Sequence, residues 1–433
     1  MRVLFVSTTF PDADAPARGT YNAALCQALQ KRHQVHVISP RFFSEVYHPF
    51  RSKKLFRIPD ELQSQGITAD YPTAWYTPRI WQQHYGEQMW WSVCRTVAAA
   101  IDRHRPDAVL SYWAHPDGAV GLRAAEIAGV PSAVIVGGTD VLILPRSRHR
   151  GIRVRDVLHR SDAVISVSEG LRQAACELHV PADQIHTIYQ GIDERVFHTR
   201  RSRAEARKEL GLSDDFTHLV WVGRMVPVKG IPMLLKAAAQ LRAGGLKFKL
   251  HLLGDGPLKA SLQQQSAQMG LDSFVDFHGA LGHRQIPDWY RAADLTVLSS
   301  DSEGLPNVLR ESLACGTPFV STDVGSLKEI ARPEFSRLTP AGDPVAFGEA
   351  VRSLLTPEAK QAAAGYRART WTDCAEDVGV LLETLQDKYR SSESSPVLSR
   401  QKRFTTTAPG ATMTGAIANR ICPIPSVSPS HDS

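Results

Sequence analysis

The 433-residue chain has six cysteines and none of them in pairs: Cys26, Cys94, Cys176, Cys315, Cys374 and Cys422 are scattered, with no Cys-x-x-Cys. That spacing argues against a disulfide framework or a zinc site, and it fits a reducing cytosol. No uninterrupted apolar stretch approaches the roughly 20 residues that a membrane span needs. The opening MRVLFVSTTFP holds too short an apolar run for a signal peptide and reads as a buried first strand. No Gly-Lys-Ser/Thr of a Walker loop is present. Leu252-Leu-Gly-Asp-Gly-Pro257 begins like a dinucleotide fingerprint, but Lys259 stands where the third glycine belongs, so it reads as a strand-ending turn. Nucleic-acid motifs are missing too. The net charge of +6 and pI near 9.0 therefore reflect solvated faces, because most Lys and Arg are interleaved with Asp and Glu.

What is present is alternation. The 43% hydrophobic and 22% charged composition is that of a soluble globular protein, long enough for two domains. Short apolar runs predict strands at Val3–Ser7, Gln34–Ile38, Ala108–Ser111, Ser132–Val136, Ala163–Val167 and His186–Ile188. A second series follows at His218–Val222, Lys249–Leu253, Val275–Phe277, Leu295–Leu298 and Pro318–Ser321. Helical patterns lie between them, as at Asn22–Lys31, Gly118–Ala128, Ile231–Arg242 and Val308–Ala314. Strand–helix–strand repetition means parallel sheets covered by helices on both faces. The predicted fold class is α/β, with two Rossmann-like doubly wound domains facing a cleft. Their predicted bounds are 1–197 and 198–370, followed by a helix over 371–390 that packs back on the first domain. The Ser-, Thr- and Pro-rich tail 391–433 cannot bury enough apolar area to offset its ordering entropy, so disorder is expected there.

Two segments interrupt the pattern. Tyr71–Trp91, YPTAWYTPRIWQQHYGEQMWW, is rich in aromatics and carries prolines that break a long helix. It reads as a loop and helix packing their rings into the first core, with a membrane-interface or acceptor surface as the alternative. Pro145–Arg155 holds five arginines (Arg146, Arg148, Arg150, Arg153, Arg155) and no acid. With Trp75, Trp81, Trp90 and Trp91 it predicts peripheral contact with an anionic membrane; acids elsewhere in the fold, or an anionic acceptor, are the competing partners.

The chemistry concentrates on loops after strands. In HLVWVGRMVPVK (218–229) a strand ends, Gly223 turns, and Arg224 and Lys229 precede a helix amino terminus. Two cations plus helix partial charge make a diphosphate site. In DSEGLPNVLRESLACGTP (301–318), Glu303 falls in a turn and Glu311 about a turn into the next helix. The first carboxylate can meet a sugar, the backbone N–H groups around Leu305–Leu309 can meet hydroxyls or phosphate, and the second carboxylate can accept two ribose hydroxyl hydrogens. Asp12-Ala-Asp14 looks like a metal-binding Asp-x-Asp, but nothing nearby offers further ligands and the reading is discarded.

The Glu303–Glu311 segment resembles the Glu-x7-Glu motif of the family-four retaining glycosyltransferases with the GT-B fold. Four more stretches are similar to that family in the same order: Trp113-Ala-His-Pro-Asp-Gly118, Ala163–Leu171, Tyr189–Asp193 with Phe197, and Val222–Gly230. The resemblance covers about 1–390. It implies a nucleotide-diphosphate sugar as co-substrate, no metal and no other cofactor, and a glycan or lipid-linked acceptor. By it Arg224 and Lys229 hold the diphosphate, Glu303 the transferred sugar and Glu311 the ribose. Gly304, Leu305, Pro306, Asn307, Val308 and Leu309 line the donor, and Gly19 in the first strand–helix loop approaches the phosphate.

Two departures touch the chemistry. Where the family has His-x-His, this chain has Leu110-Ser-Tyr112, and where it often has His-Gly-Ser-Asp, this chain has Gly137-Gly-Thr-Asp140. The family histidine is thus replaced by Tyr112 or Gly137. His115 and Asp140 are the candidate catalytic partners of Glu303, with a structural role for a lone loop histidine as the alternative. The missing histidines keep open a sugar-nucleotide-binding protein that no longer catalyses. A dinucleotide oxidoreductase is disfavoured by the absent glycine fingerprint.

Overall fold

The computed structural model describes residues 1–46, 55–77 and 80–393. Two all-parallel sheets carry the alternation seen in the sequence, and the chain divides into two units. The first comprises Met1–Val167 and Arg172–Ile188, joined by the chain from Cys374 onward; the second comprises Ser168–Leu171 and Tyr189–Asp373.

The first unit contains β1 (Arg2–Val6), β2 (Gln34–Ile38), β3 (Arg41–Phe42), β4 (Thr68–Asp70), β5 (Thr73–Ala74), β6 (Ala108–Tyr112), β7 (Ser132–Val136), β8 (Ala163–Ser166) and β9 (Ile185–Thr187). Its main sheet has the order β4-β2-β1-β6-β7-β8-β9, with β3 and β5 as a separate parallel pair. The second unit contains β10 (Thr217–Val222), β11 (Phe248–Leu253), β12 (Val275–Gly279), β13 (Leu295–Leu298), β14 (Phe319–Thr322) and β15 (Ser336–Thr339), in the order β12-β11-β10-β13-β14-β15. Strands β6, β7, β8, β13 and β14 are buried along their whole length, which is why they read as unbroken apolar runs rather than alternating ones. Both orders reverse direction once, between β1 and β6 and between β10 and β13. At such switch points a doubly wound sheet leaves a crevice beyond its strand ends.

The aromatic segment forms the expected loop and helix, but only part of its rings enter the core. Tyr85–His104 is one helix of 20 residues that starts beyond the prolines in the sequence. It buries Met89, Trp90, Val93, Cys94, Val97, Ala100 and Ile101 at helical spacing, in a cluster with Leu4, Val6 and Val109. Trp90 thus enters the core, whereas Trp75, Trp81 and Trp91 are 53%, 63% and 76% exposed. The arginine run also resolves into two kinds of residue on the Arg148–Arg160 helix and its approach. Arg153 pairs with Glu87 at 3.2 Å, and Arg150 bonds Gln82 and lies over the Tyr85 ring. Arg146, Arg148 and Arg155 remain exposed.

The helix Trp371–Glu393 continues three residues into the stretch expected to be disordered; the remainder of that tail, 394–433, lies outside the described residues. The chain passes between the units at 188/189 and again at 373/374. On the second unit's side these passages are tied together. Ile192 bridges Thr370 in a parallel pair, and the Arg369 guanidinium donates to the carbonyls of Tyr189 and Asp373, each at 3.1 Å. Among the described residues Cys26, Cys176, Cys315 and Cys374 are free thiols, and no helix is long and apolar enough to cross a membrane.

Candidate active site

In the second unit the loops after β10 and β13, on either side of its switch point, are stitched together by backbone. The Asp301 amide donates to the Val228 carbonyl at 2.8 Å, and Ser299 Oγ donates to the Lys229 carbonyl at 2.9 Å. Gly230 sits between them at φ 57°, and a Cβ there would lie 2.0 Å from the Ser299 carbonyl oxygen. Only glycine fits that left-handed, close-packed position. The Gly254–Gly256 turn after β11 joins from the other side. It packs its backbone on Gly223 and Met225, and the Met225 amide donates to Asp255 at 2.9 Å. The strand-ending turn read from the sequence therefore braces the loop that carries Arg224.

These contacts bring the predicted charges together. Lys229 Nζ donates to Glu303 Oε1 at 2.6 Å, and Ser300 Oγ donates to the same oxygen at 2.6 Å. The pair is held inward, with side chains 23% and 11% exposed. Glu303 Oε2 takes no hydrogen bond among the described residues, so one face of the carboxylate is oriented and unsatisfied. Arg224 is exposed and likewise forms no side-chain hydrogen bond or ion pair among them. Gly325 packs on the Glu303 and Gly304 carbonyls, and the Ser326 amide donates to Gly304 at 3.0 Å, fixing the loop from behind.

Pro306 precedes the helix Asn307–Ala314, whose first turn has no side-chain cap; the Leu309 amide donates to the Pro306 carbonyl at 3.4 Å, which leaves those of Asn307 and Val308 open to a ligand. Asn307 is steadied by Gln190 at 3.2 Å and by Arg310, which also donates to the Gln190 carbonyl. Glu311 points to the Tyr290 hydroxyl at 3.5 Å. Burial raises its carboxyl pKa to about 7, against the smaller opposing effects of Tyr290 and Arg310. Gln190 lies within the Tyr189–Asp193 stretch, but Ser300 and Tyr290 are neighbours of the candidate site that sequence reasoning does not single out. Their only signal is adjacency to motif residues.

The first unit's switch point is built differently. Gly19 begins the helix Thr20–Gln30 at φ 59°, where a Cβ would lie 2.2 Å from the Thr9 carbonyl oxygen. Asn22 Nδ2 donates to that carbonyl at 2.7 Å. Across the switch point, Asp117 accepts from the Thr8 amide and from Thr8 Oγ1. Asp117 is wholly buried, which raises its pKa to about 7. It belongs to one of the motif stretches, but its role is legible only once Thr8 is beside it.

Asp140 is also wholly buried and accepts from the amides of Gly137, Gly138 and Ala114, at 2.9 to 3.3 Å. Its carboxylate organises the loops after β6 and β7. His115 is buried with neither ring nitrogen hydrogen-bonded, and burial lowers its pKa to about 4, helped by Arg150 and Arg153. It is a neutral imidazole packed by the Tyr85–His104 helix, within reach of Gly86. Tyr112 packs against Tyr21 with ring centroids 5.0 Å apart and the planes tilted by 44°. A Cβ on Gly137 would stand 2.7 Å from the Tyr112 hydroxyl oxygen. The two departures noted in the sequence are therefore one: the phenol fills the space a side chain at 137 would need.

Asp12 of the Asp-x-Asp is buried against Arg41 at 3.1 Å and accepts from the amides of Asp14 and Ala15. That pairing makes it a loop organiser, in agreement with setting the metal reading aside.

Known proteins match along the same lines. The family model for glycosyltransferase family 4 matches residues 19–196, and that for group 1 glycosyl transferases matches 202–371. A Bacillus subtilis (strain 168) glycosyltransferase assigned to teichuronic acid biosynthesis, TuaC, is 28% identical over 427 residues, covering 94% of this chain and 99% of its own length. The N-acetyl-alpha-D-glucosaminyl L-malate synthase of Bacillus anthracis is 25% identical, covering 79% of this chain and 85% of its own. Among solved structures, Anabaena HepE in complex with UDP aligns with a TM-score of 0.68 at 19% identity, over 89% of this chain and all of that one. Sucrose-phosphate synthase from Thermosynechococcus elongatus aligns with a TM-score of 0.70 at 21% identity, over 89% and 98%.

Proposed function

The chain belongs to the family-four glycosyltransferases of the GT-B fold, and from that premise we propose that it is a retaining, metal-independent enzyme of polysaccharide or glycolipid synthesis. It moves a sugar from a nucleotide diphosphate to a hydroxyl of a glycan or lipid-linked glycan. The observation that carries this reading is the Lys229–Glu303–Ser300 constellation beside the uncapped helix at Asn307. As the donor bond breaks, negative charge grows on the diphosphate. Lys229, Arg224 and the helix amino terminus stabilise it where it develops, without reorganisation. Glu303 keeps Oε2 for hydroxyls of the transferred sugar and orients it, while Glu311 holds the ribose. By the resemblance, the amide near Gly19 approaches the phosphate. Asp140 supports the first unit's loops, and Tyr112 takes the volume of the family histidine.

A panel of UDP-, GDP- and ADP-sugars, read first by thermal shift and then by slow release of labelled sugar, tests the reading. Specific stabilisation by one donor, with hydrolysis that survives excess EDTA, is expected. Stabilisation without hydrolysis in any acceptor extract favours the non-catalytic binding protein. Loss of activity on chelation, restored by manganese, removes metal independence.

The reading extends to location. The enzyme works in the cytoplasm and meets an anionic membrane through Arg146, Arg148 and Arg155, with exposed Ile143, Ile152 and Trp81 beside them in the fold. Each cation gains about 1 kcal/mol near anionic lipid. Sedimentation with anionic vesicles should therefore be salt-sensitive and should fall when these three become glutamine, whereas Arg153→Gln acts mainly on the Glu87 pair. Equal sedimentation with neutral vesicles overturns the contact.

A further inference from the structure

Three histidines stand on adjacent strands of the second unit: His218 on β10, His251 on β11 and His278 on β12, at the sheet edge. Their hydrogen bonds fix their protons. His218 Nε2 lies 2.8 Å from the Ser213 carbonyl, which can only accept, so the buried, neutral His218 carries its proton on Nε2 and a lone pair on Nδ1. That Nδ1 is 2.9 Å from His251 Nε2, which must then be the donor. His251 Nδ1 is left as a lone pair. It faces His278 Nε2 at 3.1 Å and Asp276 Oδ2 at 3.5 Å, and these three atoms all lie within 4.8 Å of one another.

Without a metal, His278 Nε2–H can donate to that lone pair, while the Asp276 oxygen facing it has no proton to offer; a cation would take all three atoms as ligands. Around a tetrahedral ion with bonds of about 2.0–2.2 Å, ligand atoms stand roughly 3.3–3.6 Å apart, close to two of the separations found here. The Ser213 carbonyl and His218 already form the outer chain that fixes the tautomer of a metal-ligating histidine. The register of β11 and β12 slips between Leu252 and Leu253, leaving His278 without a partner of its own in the pairing. His278 is exposed and Asp276 half-buried, so the group opens to solvent, while Trp289 packs over His278 and His251 with ring centroids 4.3 and 5.0 Å away. Lys249 lies 3.7 Å from Asp276 and would be displaced by a cation.

We propose that His251 Nδ1, His278 Nε2 and the Asp276 carboxylate bind one divalent transition-metal ion of the zinc, cobalt or nickel class, bracing the sheet edge rather than joining the transfer reaction. Two imidazoles and one carboxylate suit these borderline ions and not magnesium or calcium. The test uses the full, tag-free chain, stripped with chelator and dialysed against zinc or cobalt. One ion per chain is expected at micromolar metal, with intense visible cobalt bands, a higher melting temperature and partial quenching of tryptophan fluorescence by cobalt. His278→Ala and Asp276→Asn change solvent-facing groups and should each lower affinity at least about tenfold, with metal-free melting temperatures near that of the parent. Should either variant fail to fold, the other carries the comparison. No binding at tens of micromolar metal, or unchanged affinity in the folded variants, overturns the site.

Discussion

At the β10/β13 switch point the ionised groups stand in the loops and face the crevice: Lys229 against Glu303, with Arg224 exposed beside them. At the β1/β6 switch point of the first unit, the same topology hides its ionisable groups. Asp117 and Asp140 are wholly buried, His115 is neutral, and the carboxylates hold backbone amides. One crevice keeps its charge for a ligand and the other uses it on its own loops. Similar sheets thus carry exposed charge on the loops of one unit and a shaped, low-charge surface in the other. Such a surface suits an acceptor hydroxyl better than a phosphate.

Exchanging the consequences of paired substitutions is the strongest way to break this contrast. Glu303→Ala should lower kcat about 10²–10³-fold with a smaller change in melting temperature than Asp140→Asn, because Lys229, 23% exposed, keeps access to water and the role of Glu303 falls in the transition state. Asp140→Asn should do the reverse. It places an amide NH2 against backbone N–H donors and costs about 1–3 kcal/mol of stability, seen first as a lower melting temperature. A large melting shift for Glu303→Ala, or a fully stable but inactive Asp140→Asn, would exchange the two roles and undo the comparison.

The same contrast explains what is legible in the sequence. Eleven strands announce themselves as apolar runs, most clearly β6, β7, β8, β13 and β14, which are buried along their whole length. β15 does not, since Arg337 and Leu338 in Ser336–Thr339 are half-exposed on an edge. Arg224, Lys229, Glu303 and Glu311 are legible because loops after strands of a parallel sheet are where ligands meet the fold. Asp117 and Asp140 give no such sign of their roles. Asp117 finds its partner Thr8 more than a hundred residues away, and Asp140 reaches back to Ala114. The tryptophans divide between core and surface, since composition shows that a ring is apolar but not which face of a helix it takes.

A second prediction sharpens the first unit's side. Gly137→Ala brings a methyl to 2.7 Å from the Tyr112 hydroxyl oxygen and should cost about 1–3 kcal/mol by overpacking. Tyr112→Ala opens that space, so Gly137→Ala added to it should cost little. A double-mutant cycle on melting free energies should give a coupling of about 1 kcal/mol or more. Tyr112→Ala with Gly137→His, which puts back one of the family histidines, then becomes a direct test of turnover. Additive effects would mean that the two departures are independent.

The smallest effect expected lies in Glu311, the carboxylate assigned to the ribose on the charged side. Its folded pKa of about 7 is above the ordinary carboxylate value because burial disfavours the ionised form. Between the unfolded and folded values the native chain holds a proton that the unfolded chain has released. Stability therefore falls as pH rises through roughly 4.5 to 7 and levels off above that. Ribose hydroxyls donate best to the ionised form, so donor affinity should move the opposite way and strengthen by about tenfold between pH 6 and 8. The ligand should be an intact nucleotide sugar, whose diphosphate carries no group titrating in that window. Glu311→Gln removes the carboxylate and should give weaker binding that is flat with pH, along with a flatter melting profile. Parallel slopes for Glu311→Gln and the parent chain would move the pH dependence, and the ribose contact with it, away from this residue.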